Sequence, residues 1–129
     1  GIRQPTPIVS DPALQADAEP VRVTSAQVAR QLRDLMIGVV ADGTGIAAAL
    51  PGIEVAGKTG TAELGPKPGA PAPPPGEDPE QAVDAWFIAF APARKPRLAV
   101  AVLLIDADAD GGEVAAPVAH DILATELLG

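Results

Sequence analysis

Residues 57–63 read GKTGTAE, and residues 84–92 read DAWFIAFAP. The β-branched residues Ile53 and Val55 precede the first of these stretches, and two threonines follow within it. Branched side chains pack well on a pleated surface, so this pattern predicts a β-strand over 53–63. The second stretch is rich in aromatic and branched residues, which predicts a second strand there, separated from the first by a loop.

A proline-rich segment separates these two strands, and a third strand comes after them. Residues 64–82 contain seven prolines, and each proline lacks a backbone N–H and clashes with a preceding helical turn, so we expect a long exposed loop. Two strands are predicted within 84–106, and the second of them is apolar at every position from 98 to 105. Such a strand is typical of a sheet centre with both faces covered. A simple meander would leave it at an edge, so we expect a segment absent from this chain to lie beside it.

Helices are predicted on both sides of the strands. Thr24 or Ser25 can cap a helix over 25–41, in which apolar residues recur at helical spacing and face a core. A terminal helix is predicted over 113–128, with Pro117 tolerated in its first turn. The residues expected to point inward are Val28, Leu32, Leu35, Met36, Val39 and Val40 in the first helix and Val114, Val118, Ile122, Leu127 and Leu128 in the second.

The order of these elements predicts the architecture. Four prolines within residues 1–23 indicate an irregular arm, in which Ile8 and Val9 could form a very short strand. After the arm come a helix, three strands and a helix, and short connections favour antiparallel neighbours. We therefore expect an α/β protein of the α+β type, with an antiparallel sheet of three strands covered by helices.

The composition narrows the class of protein and its partners. A length of 129 residues is about one domain, and 26 of the apolar residues are alanine, so the core must be built from small aliphatic side chains. A formal charge of −8 argues against nucleic acid as a partner, because a phosphate-backbone binder needs a basic face. The absence of cysteine excludes disulfides and thiolate metal sites, and it agrees with an extracytoplasmic protein. The chain opens at Gly1 without an initiator methionine, so we expect a fragment or a processed chain.

The candidate site residues are the four at positions 58–61. A strand places Lys58 and Gly60 on one face and Thr59 and Thr61 on the other. A lysine beside two hydroxyls suits an anion such as a carboxylate, and Gly60 lets a ligand or another backbone approach closely. An edge strand also offers free N–H and C=O groups to which an extended peptide can add.

Four segments together resemble the end of a penicillin-binding protein transpeptidase domain, most closely that of the class B group. They are residues 57–63, the Trp-Phe strand at 84–92, the final strand and the Gly-Gly to Pro-Val stretch at 111–118. The resemblance extends from Gly1 to Leu128 and implies a β-lactamase/transpeptidase-like fold with a larger, five-stranded sheet. It implies a peptidoglycan D,D-transpeptidase that cross-links stem peptides by serine acyl transfer and binds β-lactams. It also implies the outer face of the bacterial cytoplasmic membrane as location, an anchor outside this chain, and no metal or organic cofactor.

The same resemblance assigns roles to the motif residues. Lys58 would add positive potential beside the nucleophile and assist proton transfer. Thr59, Gly60 and Thr61 would form the substrate-binding strand, with the two threonines binding the terminal carboxylate of a D-Ala-D-Ala stem peptide or of a β-lactam. The backbone N–H of Thr61 would supply half of an oxyanion hole.

The nucleophilic serine that the resemblance requires is missing from this chain. The family motif is Ser-x-x-Lys, and neither Ser10 nor Ser25 has a lysine three positions later. The Ser-x-Asn motif is missing as well. We therefore expect this chain to be inactive alone and to associate with the missing N-terminal segment of the same domain, as a companion chain.

Three other interpretations stay open at this point. Residues 52–59 match the P-loop pattern of NTPases, although a P-loop needs a strand before it and a helix after it. Asp106, Asp108 and Asp110 begin like a calcium-binding loop, but its twelfth position is Pro117 rather than glutamate. The chain could also be a non-catalytic structural or interaction module of the same fold.

Overall fold

The computed structural model describes residues 1–4 and 19–129, so the short strand predicted at residues 8–9 lies outside the described residues. The chain forms two compact units, residues 1–33 and residues 34–129. No helix in the described parts of the chain is both long enough and apolar enough to cross a membrane.

The first unit contains a short ladder and the start of a helix. β1 (Ile2–Arg3) pairs antiparallel with β2 (Val21–Arg22), so the arm predicted to be irregular has a two-stranded segment. Helix α1 (Ala26–Ala41) follows the predicted bounds closely. The Ser25 hydroxyl accepts a hydrogen bond from the backbone N–H of Val28 at 3.1 Å, which satisfies a free donor of the first helical turn.

Within the described residues, the buried side chain of α1 lies near its end. Val40 is buried. Val28, Leu32 and Leu35, which the helical spacing predicted to face a core, are instead exposed, Leu35 by 69%. The prediction was wrong at these positions because periodicity identifies an apolar face without identifying a surface that covers it.

The second unit contains a three-stranded antiparallel sheet in the order β3 (Ala56–Pro66), β4 (Gln81–Ala91) and β5 (Leu98–Ala107). β3 begins later than predicted, because Ile53 forms an isolated bridge with Leu50 instead of joining the ladder. The arrangement is the predicted α+β architecture, with β3 and β5 at the two edges of this sheet.

The ladder between β3 and β4 extends beyond the predicted strand ends. It shifts register between Glu63 and Pro66, and Pro66 then pairs with Gln81. The connecting loop is therefore shorter than the predicted segment 64–82. Residues 57–60 lie inside the regular ladder rather than in a turn that leads into a helix, so the P-loop interpretation is wrong.

Helix α2 (Gly111–Leu128) covers one face of the sheet, which we call the inner face. The helix begins earlier than predicted, so Pro117 lies inside it rather than in its first turn. Val118, Ile122 and Leu128 were predicted to point inward but are exposed, because alanines and one leucine form the buried side and let the helix approach the strands closely. The core of this unit consists of Val40, Ala48, Leu50, Val55, Phe87, Ala89, Ala91, Val102, Ala115, Ala116, Ala119 and Leu123.

The opposite face of the sheet, which we call the outer face, carries exposed apolar side chains. On β5, Val102 is buried toward α2, whereas Leu103 and Ile105 are exposed, Ile105 by 74%. Trp86 pairs with Leu103 and, with Ile88, continues the same face on β4. The prediction that both faces of β5 are covered is therefore wrong within this chain. In the described residues β5 pairs with β4 alone, and the neighbour expected beside it stays a prediction.

Candidate active site

The candidate site lies on β3, which is an edge strand. β4 pairs with one side of β3, and no strand in the described part of the chain pairs with the other. Lys58 lies opposite Ile88 and Thr61 opposite Ala85, with Gly60 between the two site residues. Lys58 and Thr61 are exposed, and Gly60 is half-buried. The motif therefore presents one side of its backbone to open space.

The two threonines of the motif lie on the inner face. Thr59 pairs with Phe87 and Thr61 with Ala85, and both partners are buried. Opposite residues of a ladder share a face, so both threonines project toward α2. Lys58 lies between Gly57 and Thr59 in the strand and therefore projects to the outer face.

The ammonium group of Lys58 bends along the strand to Thr59. Nζ donates to the Thr59 carbonyl oxygen at 2.8 Å and to Thr59 Oγ1 at 3.2 Å. An ammonium group has three N–H donors, so these bonds leave one for a ligand. The geometry thus concentrates positive charge at the edge of the sheet beside a hydroxyl group.

A loop residue extends this hydrogen-bond chain. The hydroxyl oxygens of Thr44 and Thr59 lie 3.1 Å apart. Thr44 follows the end of α1, where the N–H of Gly45 donates to the carbonyl oxygen of Val39 at 2.9 Å. Thr44 was not among the residues predicted from the sequence, because a loop threonine 15 positions from its partner leaves no periodic signal.

Asp110, the N-cap residue of α2, binds the other threonine of the motif. The Thr61 hydroxyl donates to Oδ1 of Asp110 at 3.1 Å. Aspartate at an N-cap usually accepts from a first-turn N–H, but Asp110 makes no side-chain bond to its own helix. A threonine hydroxyl has a single proton, so Thr61 cannot give that proton to a ligand while it is bound to Asp110. The two threonines therefore differ as donors.

Two glycines seat the first turn of α2 against the strands and the Thr44 loop. A Cβ atom on Gly111 would overlap the carbonyl oxygen of Trp86, and one on Gly112 would overlap the carbonyl oxygen of Thr44. Only a residue without a side chain permits these backbone contacts. The seating of α2 thus fixes the positions of Asp110 and of the Thr44 loop.

Asp106 near the end of β5 and Asp108 and Asp110 before α2 make separate contacts. Asp108 accepts from Lys67, Asp110 accepts from β3, and the backbone N–H of Asp106 donates to Oδ1 of Asp84. In the residues that the structure describes, no three His, Cys, Asp or Glu side chains are grouped so that they could hold a metal ion. The geometry does not support the calcium-loop interpretation.

A groove of about 450 Å³ opens beside Thr61. Its lining includes Lys67 and the carboxylates of Glu80, Asp108 and Asp110. Lys67 Nζ lies 3.0 Å from the carboxylate of Asp108 and 3.2 Å from that of Glu80. These ion pairs connect the start of the proline-rich loop to its end and to the residues that follow β5.

The Lys67 ion pairs predict a pH-dependent contribution to stability. Hydrogen bonds to Asp108 and Glu80, reinforced by their negative charges, raise the pKa of Lys67 above its ordinary value of 10.5. Because the pKa of Lys67 is higher in the folded state than in the unfolded state, the ion pairs stabilise the fold fully at a pH below 10.5. This stabilisation is lost as the pH rises through the folded-state pKa. We expect the melting temperature of Lys67→Met to be slightly below that of the wild type at pH 7–9 and the difference to shrink above pH 10.5. The effect should be small because both carboxylate partners are exposed to solvent.

The control for this prediction is Lys95→Met, which removes an exposed lysine from the connection between β4 and β5. Its melting temperature should follow that of the wild type at every pH. A Lys67→Met difference that stays constant up to pH 12 would contradict the assignment of the effect to the ion pairs.

Comparisons with known proteins place this geometry in a family. Residues 2–124 match the penicillin binding protein transpeptidase domain. The peptidoglycan D,D-transpeptidase PbpA of Mycobacterium tuberculosis is 41% identical over 114 residues, which are 84% of this chain and 21% of that protein. This chain therefore spans about a fifth of the length of that relative.

Two solved structures agree with this match. The D,D-transpeptidase domain of a peptidoglycan glycosyltransferase from Eggerthella lenta superposes with a TM-score of 0.65 at 36% identity, covering 88% of this chain and 23% of that one. Penicillin-binding protein A from M. tuberculosis, solved as a ceftriaxone acyl-enzyme complex, gives a TM-score of 0.60 at 38% identity, covering 90% of this chain and 26% of that one.

The three-stranded antiparallel sheet with its helices matches solved penicillin-binding protein transpeptidase domains, which have the β-lactamase/transpeptidase fold. The chain belongs to the penicillin-binding protein transpeptidase domain family, which confirms the resemblance seen in the sequence.

Proposed function

We propose that this chain supplies one wall of the active site of a peptidoglycan D,D-transpeptidase of the class B group. The enzyme would cross-link stem peptides ending in D-Ala-D-Ala by serine acyl transfer, and β-lactams would acylate the same serine. The observation that carries the proposal is the Lys58-to-Thr61 motif on the open edge of β3, with the Lys58 ammonium group bound to Thr59. Family membership supports the reaction class.

The backbone of β3 is suited to an oxyanion hole. In an antiparallel ladder, residues alternate between those that bond the partner strand and those that point away from it. The bond from Lys58 Nζ to the Thr59 carbonyl favours Thr59 as a residue whose backbone points to the open edge. Thr61, two residues further, would then direct its N–H to the same edge. One such donor is typically worth about 3–4 kcal/mol of barrier.

The side chains near this edge are suited to a carboxylate. Lys58 has one N–H donor left, and its positive charge would attract the terminal carboxylate of a stem peptide or of a β-lactam. The Thr59 hydroxyl would donate to the same group. The Thr61 hydroxyl is bound to Asp110, so the main role that we assign to Thr61 is that of its backbone N–H as a donor. The role that we assign to Gly60 is to let the substrate approach the strand closely.

The nucleophilic serine would come from a segment outside this chain. The exposed outer face around Trp86, Ile88 and Leu103 and the open edge of β5 support further packing there. We call this chain together with the serine-bearing segment the complete domain, whether the two are continuous or are companion chains. Its sheet would have five strands, and it would act at the outer face of the cytoplasmic membrane, anchored outside this chain.

Labelling with a fluorescent penicillin tests the proposal. The complete domain should become covalently labelled, and peptide mapping should locate the label outside residues 1–129. Preincubation with unlabelled benzylpenicillin should abolish the signal. A folded complete domain that takes no label would instead support the non-catalytic module.

A further inference from the structure

We propose that Thr44 is a positioning residue that makes the Thr59 hydroxyl a hydrogen-bond donor toward a substrate carboxylate. Thr44 lies in the loop after α1, outside the Lys-Thr-Gly motif. The proposal rests on the proposed function, because it assigns to Thr44 a part in recognising the same carboxylate.

The hydrogen bonds at Thr59 decide which way its proton points. A hydroxyl group has one proton and two lone pairs, and the Lys58 ammonium group can only donate, so it occupies one lone pair of Thr59 Oγ1. Thr44 Oγ1 lies 3.1 Å from the same oxygen, and either hydroxyl could donate. When Thr44 donates, both lone pairs of Thr59 are occupied and its proton stays available for a ligand.

A bound carboxylate selects this arrangement. A carboxylate only accepts hydrogen bonds, so Thr59 can bind it only by donating. If Thr59 instead gave its proton to Thr44, it would offer the carboxylate nothing but lone pairs. The Thr61 proton is already bound to Asp110, so Thr59 is the motif hydroxyl with a proton left for the substrate.

The Thr44 loop is held in place from two sides. At the end of α1 the N–H of Gly45 donates to the carbonyl oxygen of Val39 at 2.9 Å. On the other side the backbone of α2 at Gly112 contacts the Thr44 carbonyl so closely that no Cβ would fit. A backbone fixed in this way keeps the Thr44 hydroxyl beside Thr59 before a ligand arrives, which lowers the cost of orienting the site.

Two variants and two probes test this inference in the complete domain. Thr44→Val keeps the shape of the side chain and removes the hydroxyl, whereas Thr44→Ser keeps the hydroxyl. The probes are benzylpenicillin, which carries the carboxylate, and its methyl ester, which does not. The measurement is the second-order acylation rate with each probe, together with the melting temperature.

We expect Thr44→Val to slow acylation by benzylpenicillin about fivefold to tenfold, the loss of one oriented hydrogen bond, and acylation by the methyl ester less than about twofold. Thr44→Ser should restore the benzylpenicillin rate to within about twofold of the wild type. The ratio of the two probe rates does not depend on the fraction of folded protein.

Other results overturn the inference. An equal loss with both probes would make Thr44 merely structural, and an unchanged benzylpenicillin rate in Thr44→Val would show that Thr59 needs no help from Thr44. A wild type that neither probe acylates would refute the proposed function itself, and the inference with it.

Discussion

A Lys58→Met variant of the complete domain is expected to be acylated by benzylpenicillin about 100-fold more slowly than the wild type, or slower still. Methionine keeps an unbranched apolar side chain of similar length but removes the charge and all three donors. The variant loses the bonds that Nζ makes to the carbonyl and hydroxyl oxygens of Thr59 at 2.8 and 3.2 Å. It also loses the donor left for the substrate carboxylate and the positive charge that favours an anion at the edge of β3.

Two controls separate this effect from a change in folding. Lys58 is exposed, so its replacement should leave the melting temperature within about 2 °C of the wild type. Lys58→Arg keeps the charge in a planar, wider group and should give an intermediate rate. A Lys58→Met variant that is acylated within threefold of the wild-type rate would contradict the role given to Lys58 in the site.

The extended elements around the motif were predictable because their causes are local. The prolines of residues 64–82 and the apolar run at 98–105 each restrict the backbone near themselves, whereas Ile53 and Val55 precede the observed start of β3 at Ala56. The ends of the strands were less accurate. Pro66 was placed in a loop, but an irregular end of an edge strand tolerates a residue without an N–H.

Which residues of each helix are buried could not be predicted from spacing alone. The prediction for α2 put Val118 and Ile122 inward. The observed helix turns Ala115 and Ala119 to the sheet, since small side chains permit a close approach. The geometry of a contact thus depends on both surfaces, and the sequence of one helix describes only one of them.

The residues of the candidate site were predicted in part, and their role in binding an anion stays a prediction. The residue types at positions 58–61 indicated an anion site, because a lysine, two hydroxyls and a glycine were adjacent on one predicted strand. The residues that form hydrogen bonds with the two threonines were not predicted as their partners. Thr44 and Asp110 lie 15 and 49 positions from Thr59 and Thr61, respectively. Contacts over such distances follow from the seating of α2 on the sheet, which no local pattern encodes.

That seating leads to the second large effect, which is expected for Gly111→Ala. Alanine normally favours a helix over glycine by about 1 kcal/mol. At Gly111, however, a Cβ would overlap the carbonyl oxygen of Trp86 and lie 2.9 Å from that of Gly60. Both obstacles are backbone atoms of adjacent strands, so no side-chain rotation relieves them. We expect the free energy of unfolding to fall by about 2–3 kcal/mol, which is in the upper part of the range typical of substitutions that overpack a core.

The matched control is Gly38→Ala, the same substitution in α1, where nothing lies within 4 Å of the added Cβ. This variant should be as stable as the wild type or up to about 1 kcal/mol more stable, because only the helix preference of alanine acts. Chemical denaturation of the complete domain measures both changes. Because a displaced α2 would also shift Asp110 and the Thr44 loop, Gly111→Ala should slow acylation by benzylpenicillin as well, whereas Gly38→Ala should not. Equal unfolding free energies for the two variants would show that α2 is not seated on the backbone of β3 and β4 through Gly111.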